Sequence, residues 1–180
     1  LFYFARLKQG NLLRSMNNFV GAQIVYENLI NGFPTHEMRY VAELSRADCM
    51  LALAGNDSDG LADAVVILER LLDLPNLPLD FQAEVAHKWA FALIKSGSSE
   101  KAKEVLWLSA NRFIRDGGKS TDLGAPGRYW LARSMLQLGE IFEKQDNLVE
   151  ARKIYRQVIA YNLPGRHIAI SRVDQILEVE

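Results

Sequence analysis

ARSMLQLGEIFEKQDNLVEARKIYRQVIAYNLP, residues 132–164, is the stretch from which the rest of the chain can be read. In its second half Leu148, Ala151, Ile154, Tyr155, Val158 and Ile159 recur at spacings of three and four. That period lays side chains along one face of an α-helix. Arg152, Lys153 and Arg156 fall elsewhere on the helix and can stay in water. Asn147 is placed to cap it, and Glu150, three residues on, to complete a capping box. Pro164 stops the helix and turns the chain.

The same grammar extends outward. Period-two alternation and Asn-Gly or Asp-Gly hairpin signals are nearly absent, and the spacing predicts nine helices, over 2–16, 19–31, 36–54, 60–73, 79–96, 99–114, 127–144, 148–161 and 166–178. Short turns such as MNNF, FPTH, LPNLPLD, KSGSSE and NLPGR separate them, so neighbours should form antiparallel hairpins. The second helix of each hairpin carries an alanine and, four positions on, a large apolar residue: Ala22/Tyr26, Ala64/Leu68, Ala102/Leu106 and Ala151/Tyr155. The alanine permits close approach to the first helix, and the large residue fills the space toward the next hairpin. Pro34, Pro75 and Pro164 follow three of these helices.

This pattern resembles the tetratricopeptide repeat (TPR). Residues 132–164 match it at Leu138-Gly139, Phe142, Ala151, Tyr155 and Pro164, with Gly139 and Ala151 as the small residues where two helices cross. Residues 17–34 match through Ala22, Tyr26, Leu29 and Pro34, and residues 86–106 through Trp89, Ala90, Leu93, Gly97 and Ala102. The unit over 41–75 fits least and carries an insertion near NDSDG. The family period is about 34 residues, whereas the marker alanines here are 42, 38 and 49 positions apart. The resemblance implies an all-α, right-handed superhelix of about four antiparallel hairpins, a TPR-like α-solenoid. A single domain over 1–180 would hold hairpins at 2–34, 36–75, 79–115 and 127–164, with a capping helix at 166–178. The last repeat is also similar to repeats of bacterial cell-envelope proteins, such as outer-membrane assembly lipoproteins and periplasmic coordinators. A periplasmic or envelope setting is thus one expectation, with the cytoplasm left open.

Composition narrows the function. Lys and Arg number 21 against 22 Asp and Glu, a net charge of −1, which argues against a nucleic-acid grip. No apolar run approaches the roughly 20 residues that span a bilayer. Cys49, the one cysteine, can form no internal disulfide and reads as a small buried hydrophobe. A chain starting at Leu1 is expected to be a segment of a longer one, so the lack of a leader says nothing about location.

The least helical stretch, RDGGKSTDLGAPGR at 115–128, contains Gly-Lys-Ser, the end of a phosphate-binding loop. Such a loop needs a glycine five positions before Gly118, where Phe113 stands, and a preceding strand, where VLWLSANRFI reads as helix. The stretch is therefore read as a connection, with Pro126 near the start of the next helix. His36, His87 and His167 form no metal-binding motif, so no metal or cofactor is expected. His87 reads as a partly exposed surface histidine, and Trp89, Trp107 and Trp130 as packing residues, with Tyr129 or Trp130 exposed beside the long connection. Glu140 and Glu143 read as a solvated helix face.

No catalytic constellation emerges, so the expected function is a non-catalytic module holding a protein or peptide in a concave groove lined by the first helix of each hairpin. The resemblance puts Arg133, Leu136, Glu140 and Glu143 on that face in the last repeat. It adds Glu84, His87, Lys88 and Phe91 in the third and Arg46 in the second. Arg46, His87, Lys88, Phe91, Arg133 and Glu140 are the partner-binding candidates. The Lys/Asn pattern with which some co-chaperone repeats hold a terminal carboxylate is not found at these positions. The alternatives are a spacer or self-association domain, for which a homo-oligomer would be natural, and the regulatory helical part of an enzyme. Adding ATP with magnesium is expected to leave the melting temperature unchanged. A rise that Lys119→Ala abolishes would revive the nucleotide site.

Overall fold

The computed structural model describes residues 1–55, 58–114 and 123–178. Among them are nine helices and no strand: α1 (Phe2–Ser15), α2 (Phe19–Gly32), α3 (Arg39–Leu53), α4 (Ser58–Leu72), α5 (Leu79–Lys95), α6 (Ser99–Phe113), α7 (Ala125–Lys144), α8 (Leu148–Ala160) and α9 (Arg166–Leu177). The Gly-Lys-Ser stretch and the insertion at Asn56-Asp57 lie outside the described residues. The start of α3 departs most from expectation, at 39 instead of 36. His36 stacks flat on Tyr3 with ring centroids 3.6 Å apart, and its Nδ1 accepts the Met38 N–H at 3.1 Å. Both contacts hold the preceding residues in a turn.

The chain divides into two compact units, Leu1–Leu74 and Pro75–Glu180. In the first, α1 packs on α2, α2 on α3 and α3 on α4. In the second, α5 packs on both α6 and α7, and α7, α8 and α9 follow in series.

Three hairpins share one turn. Asn17, Gly97 and Asp146 take positive φ, at 59°, 83° and 57°. After each, the next residue donates its N–H back across the turn: Asn18 to the Leu13 carbonyl at 2.9 Å, Ser98 to Leu93 at 2.8 Å and Asn147 to Phe142 at 2.9 Å. The left-handed residue donates as well, Asn17 to Arg14, Gly97 to Ile94 and Asp146 to Glu143, at 3.0–3.1 Å. The two bonds form a Schellman cap, which satisfies carbonyls left open at a helix end. The residue that closes it is also the N-cap of the next helix. Asn18 Oδ1 accepts the Gly21 N–H at 3.0 Å and Asn147 Oδ1 the Glu150 N–H at 3.3 Å. The expected capping box is therefore half formed. The Asn147 N–H that Glu150 would have reached is committed to Phe142, and the Glu150 carboxylate pairs with Lys153 instead.

All eight residues of the four alanine/large-residue pairs have no accessible surface. The cause is visible at the glycines. A Cβ on Gly10 would stand 2.5 Å from Tyr26 Cε1, and one on Gly139 2.5 Å from Tyr155 Cζ. Each tyrosine ring fills the place where a side chain of the first helix would be. Tyr26 ends in a hydrogen bond to Asn11 Oδ1 at 2.7 Å. In the third hairpin Ala90 and Leu106 stand at the same sequence separation and are both fully buried, an alanine for the glycine and a leucine for the tyrosine. Cys49 is fully buried, and burial pushes its thiol up to about 11, which leaves it protonated and unreactive.

The start of α7 is set by α5. Asp80 Oδ1 accepts the Gly124 N–H at 2.8 Å, and a Cβ on Gly127 would meet the Asp80 Cα at 3.0 Å. At the same open end of the hairpin Arg128 Nη2 donates to the carbonyls of Tyr161 and Asn162, just past α8, at 3.1 and 3.0 Å.

On a solvent-facing helix Gly→Ala stabilises by about 1 kcal/mol. At position 139 the sign should reverse: Gly139→Ala is expected to cost about 1–3 kcal/mol by overpacking. Tyr155→Ala should cost about 3–5 kcal/mol. The double variant Gly139→Ala/Tyr155→Leu, which copies the third hairpin's pair, should recover part of the first loss. Urea titrations followed by circular dichroism measure all three.

Candidate functional site

The packing of α5 against α7 brings the first helices of two successive hairpins side by side within the second unit. Along α7 the residues Tyr129, Arg133, Leu136 and Glu140 recur at helical spacing on one stripe, and His87 and Phe91 make a shorter stripe on α5. These six, with Ala132, Gln137 and the Pro164, Gly165 and Ile168 of the turn into α9, line a groove of about 400 Å³. It is open to solvent: Phe91, Tyr129, Arg133, Glu140 and Ile168 are all exposed.

Arg133 is the best-held charge in the lining. Its Nη1 donates to the Tyr129 hydroxyl at 3.0 Å, and its guanidinium lies 5.8 Å and 6.0 Å from the ring centroids of Tyr129 and Trp130. Stacking on aromatic faces suits the planar, weakly hydrated guanidinium. The apolar part of the groove is Phe91 facing Leu136 and Ile168, with the Lys95 ammonium 5.4 Å from the Phe91 ring centroid at the rim. Among the described residues Glu140 is the only carboxylate in the lining.

His87 departs from the expectation of a partly exposed surface residue: it is buried. Its ring lies 5.4 Å from Trp130, and Nδ1 is 3.4 Å from Ser134 Oγ. Burial, reinforced by Arg133 and Lys88, lowers its pKa to about 4. It is therefore neutral at physiological pH and forms a wall of the groove.

Four of the six candidates, His87, Phe91, Arg133 and Glu140, thus come together in one place. Lys88 stands outside the lining, bonded to Glu84 at 2.6 Å and 5.2 Å from the Trp130 ring centroid. Arg46 lies in the first unit, 3.4 Å from Glu27 of α2. Glu143 turns from the groove to Arg172, 3.5 Å away. Trp107, expected to pack, is half exposed. It borders a separate shallow surface with Lys103, Glu104 and Phe142. Sequence reasoning missed Gln137, Gly165 and Ile168. The exposed Ile168 and Ile170 of the capping helix were the available signal that this helix does more than cover an end.

Among the described residues no group of three or more His, Cys, Asp or Glu side chains could hold a metal ion. No described helix is long and apolar enough to cross a membrane. Among the described residues the groove lining contains no serine, cysteine or lysine, and Ser134, the hydroxyl beside His87, is fully buried behind it.

Comparison with known proteins agrees with this architecture. A tetratricopeptide-repeat family model matches residues 133–162. Two crystal structures of nearly identical TPR-like repeats, from a Podosopora anserina protein described as a kinesin light chain, superpose on 97% of this chain and 84% of theirs. One is a single-substitution variant, with TM-score 0.68, and the other gives 0.67; both are 14% identical in sequence. No curated protein matches the chain significantly.

The depressed His87 pKa has a definite sign. Between about 4 and the ordinary value near 6.5 the unfolded chain binds the proton that the folded chain refuses. Stability from this group is therefore full above that window and falls as pH drops through it. His87→Gln should show a smaller loss of melting temperature between pH 7 and pH 5 than the wild type. Equal losses would contradict the buried, neutral state.

Proposed function

We propose that this TPR-like helical repeat protein is a non-catalytic interaction module, and that it holds a segment of a partner polypeptide in the groove between α5, α7 and the start of α9. Repeats of this class generally mediate protein–protein interaction, because stacked hairpins leave one face of the first helices free of packing duties. The observation that carries the reading is the convergence of an exposed aromatic, a stacked arginine and an apolar floor in one open groove. Aromatic and arginine anchors of this kind dominate binding energy at interfaces. The openness of the groove, and a described lining without serine, cysteine or lysine, favour recognition over chemistry. A bacterial envelope or assembly complex is the setting suggested by the resemblance of the last repeat.

Phe91 and Arg133 are the proposed anchors. Phe91→Ala/Arg133→Ala should fold normally by circular dichroism, since both side chains are exposed. It should lose a partner that the wild type retains in a pull-down from the source cells, with a cost of at least about 2 kcal/mol for the pair. A partner kept equally by both proteins would rule this face out, and no partner at all would favour a spacer.

A further inference from the structure

We infer that the segment held in this groove carries an acidic and a basic residue flanking an apolar one, and lies with its acidic end at Arg133 and its basic end at Glu140. This rests on the proposal that the groove binds a polypeptide; what is added is the ligand's charge order.

The two charges stand at opposite ends of the same stripe of α7. Seven residues separate them, a rise of about 10 Å at 1.5 Å per residue. An extended chain covers that distance in three to four residues at about 3.3 Å each. Between them lie Leu136 and, across the groove, Phe91 and Ile168, which give an apolar side chain a place to be buried. Each end has a defined electrostatic demand. Among the described residues the Arg133 guanidinium makes one hydrogen bond, to Tyr129, and lies over the Tyr129 and Trp130 rings. Further N–H groups remain in the fork geometry that suits a carboxylate. Glu140 is exposed, and among the described residues it makes no ion pair within the chain.

A ligand acidic at both ends would meet Glu140, and one basic at both ends would meet Arg133. Like charges brought together at an interface disfavour a wrong partner. The groove thus selects for an ordered pair of opposite charges.

The test is selection of a random peptide library displayed on phage against the wild-type chain. Recovered peptides are measured by fluorescence anisotropy against wild type, Phe91→Ala, Arg133→Glu and Glu140→Lys, each checked for folding by circular dichroism. Peptides should carry an acid and a base three or four positions apart around an apolar residue, and Arg133→Glu should weaken them about tenfold or more. Selection on Arg133→Glu should return peptides basic at both ends, and on Glu140→Lys peptides acidic at both ends. Peptides weakened by Phe91→Ala but indifferent to both charge reversals would overturn the charge order and leave the groove standing. Peptides insensitive to Phe91→Ala, or none recovered at all, would overturn the groove reading and this inference with it.

Discussion

A tyrosine ring lying where a helix lacks a side chain is the contact on which the rest of this structure depends. Gly139 gives up about 1 kcal/mol of helix propensity. In return the backbone of α7 approaches α8 closely enough for the Tyr155 ring to be sealed from solvent. An aromatic side chain buries about 150–250 Å², worth several kcal/mol at about 25 cal/mol per Å², so the exchange favours the fold. The same arrangement joins Gly10 to Tyr26. Because the ring fixes the distance and the rotation of the first helix, it also fixes which stripe of that helix is left outside.

The groove follows from that rotation. On α7 the residues Leu131, Met135, Leu138 and Gly139 are committed to the interior, while Tyr129, Arg133 and Glu140 are held out. Leu136 lies between the two sets and serves as floor. Asp80 adds a second constraint, since its bond to Gly124 and the tight approach at Gly127 set where α7 begins relative to α5. The groove walls are in this sense a by-product of packing chosen elsewhere. His87 shows the cost of building one: a polar ring is enclosed between Trp130 and Ser134 and must remain uncharged.

Much of this was legible in the sequence because it depends on local spacing. The alanine and the large residue four positions on identified the buried seam of every second helix, although Tyr26 and Tyr155, expected to fill the space toward the next hairpin, lie instead against the first helix of their own. Gly139 marked the crossing in the last repeat, where the Tyr155 ring takes the place of a side chain. Registers at helix ends were harder: α3 starts late because His36 finds Tyr3, 33 residues away in sequence, and no local pattern reports such a contact. His87 was misread as surface because Trp130 and Ser134, which enclose it, come from another helix. Trp107 was misread as packing because apolar character does not say whether a neighbour is present. Ile168 escaped because a capping helix is identified by what it covers and not by what its outer edge adjoins.

The shared turn residue has a consequence for motion. Asn18 and Asn147 each close the end of one helix with a backbone donor and open the next with a side-chain acceptor. Neither helix of such a hairpin can fray at the turn without releasing bonds in the other. Amide hydrogens on the two sides of each of these turns are thereby bound to exchange with solvent together, as one opening unit. The hairpin, and not the single helix, becomes the smallest piece that opens.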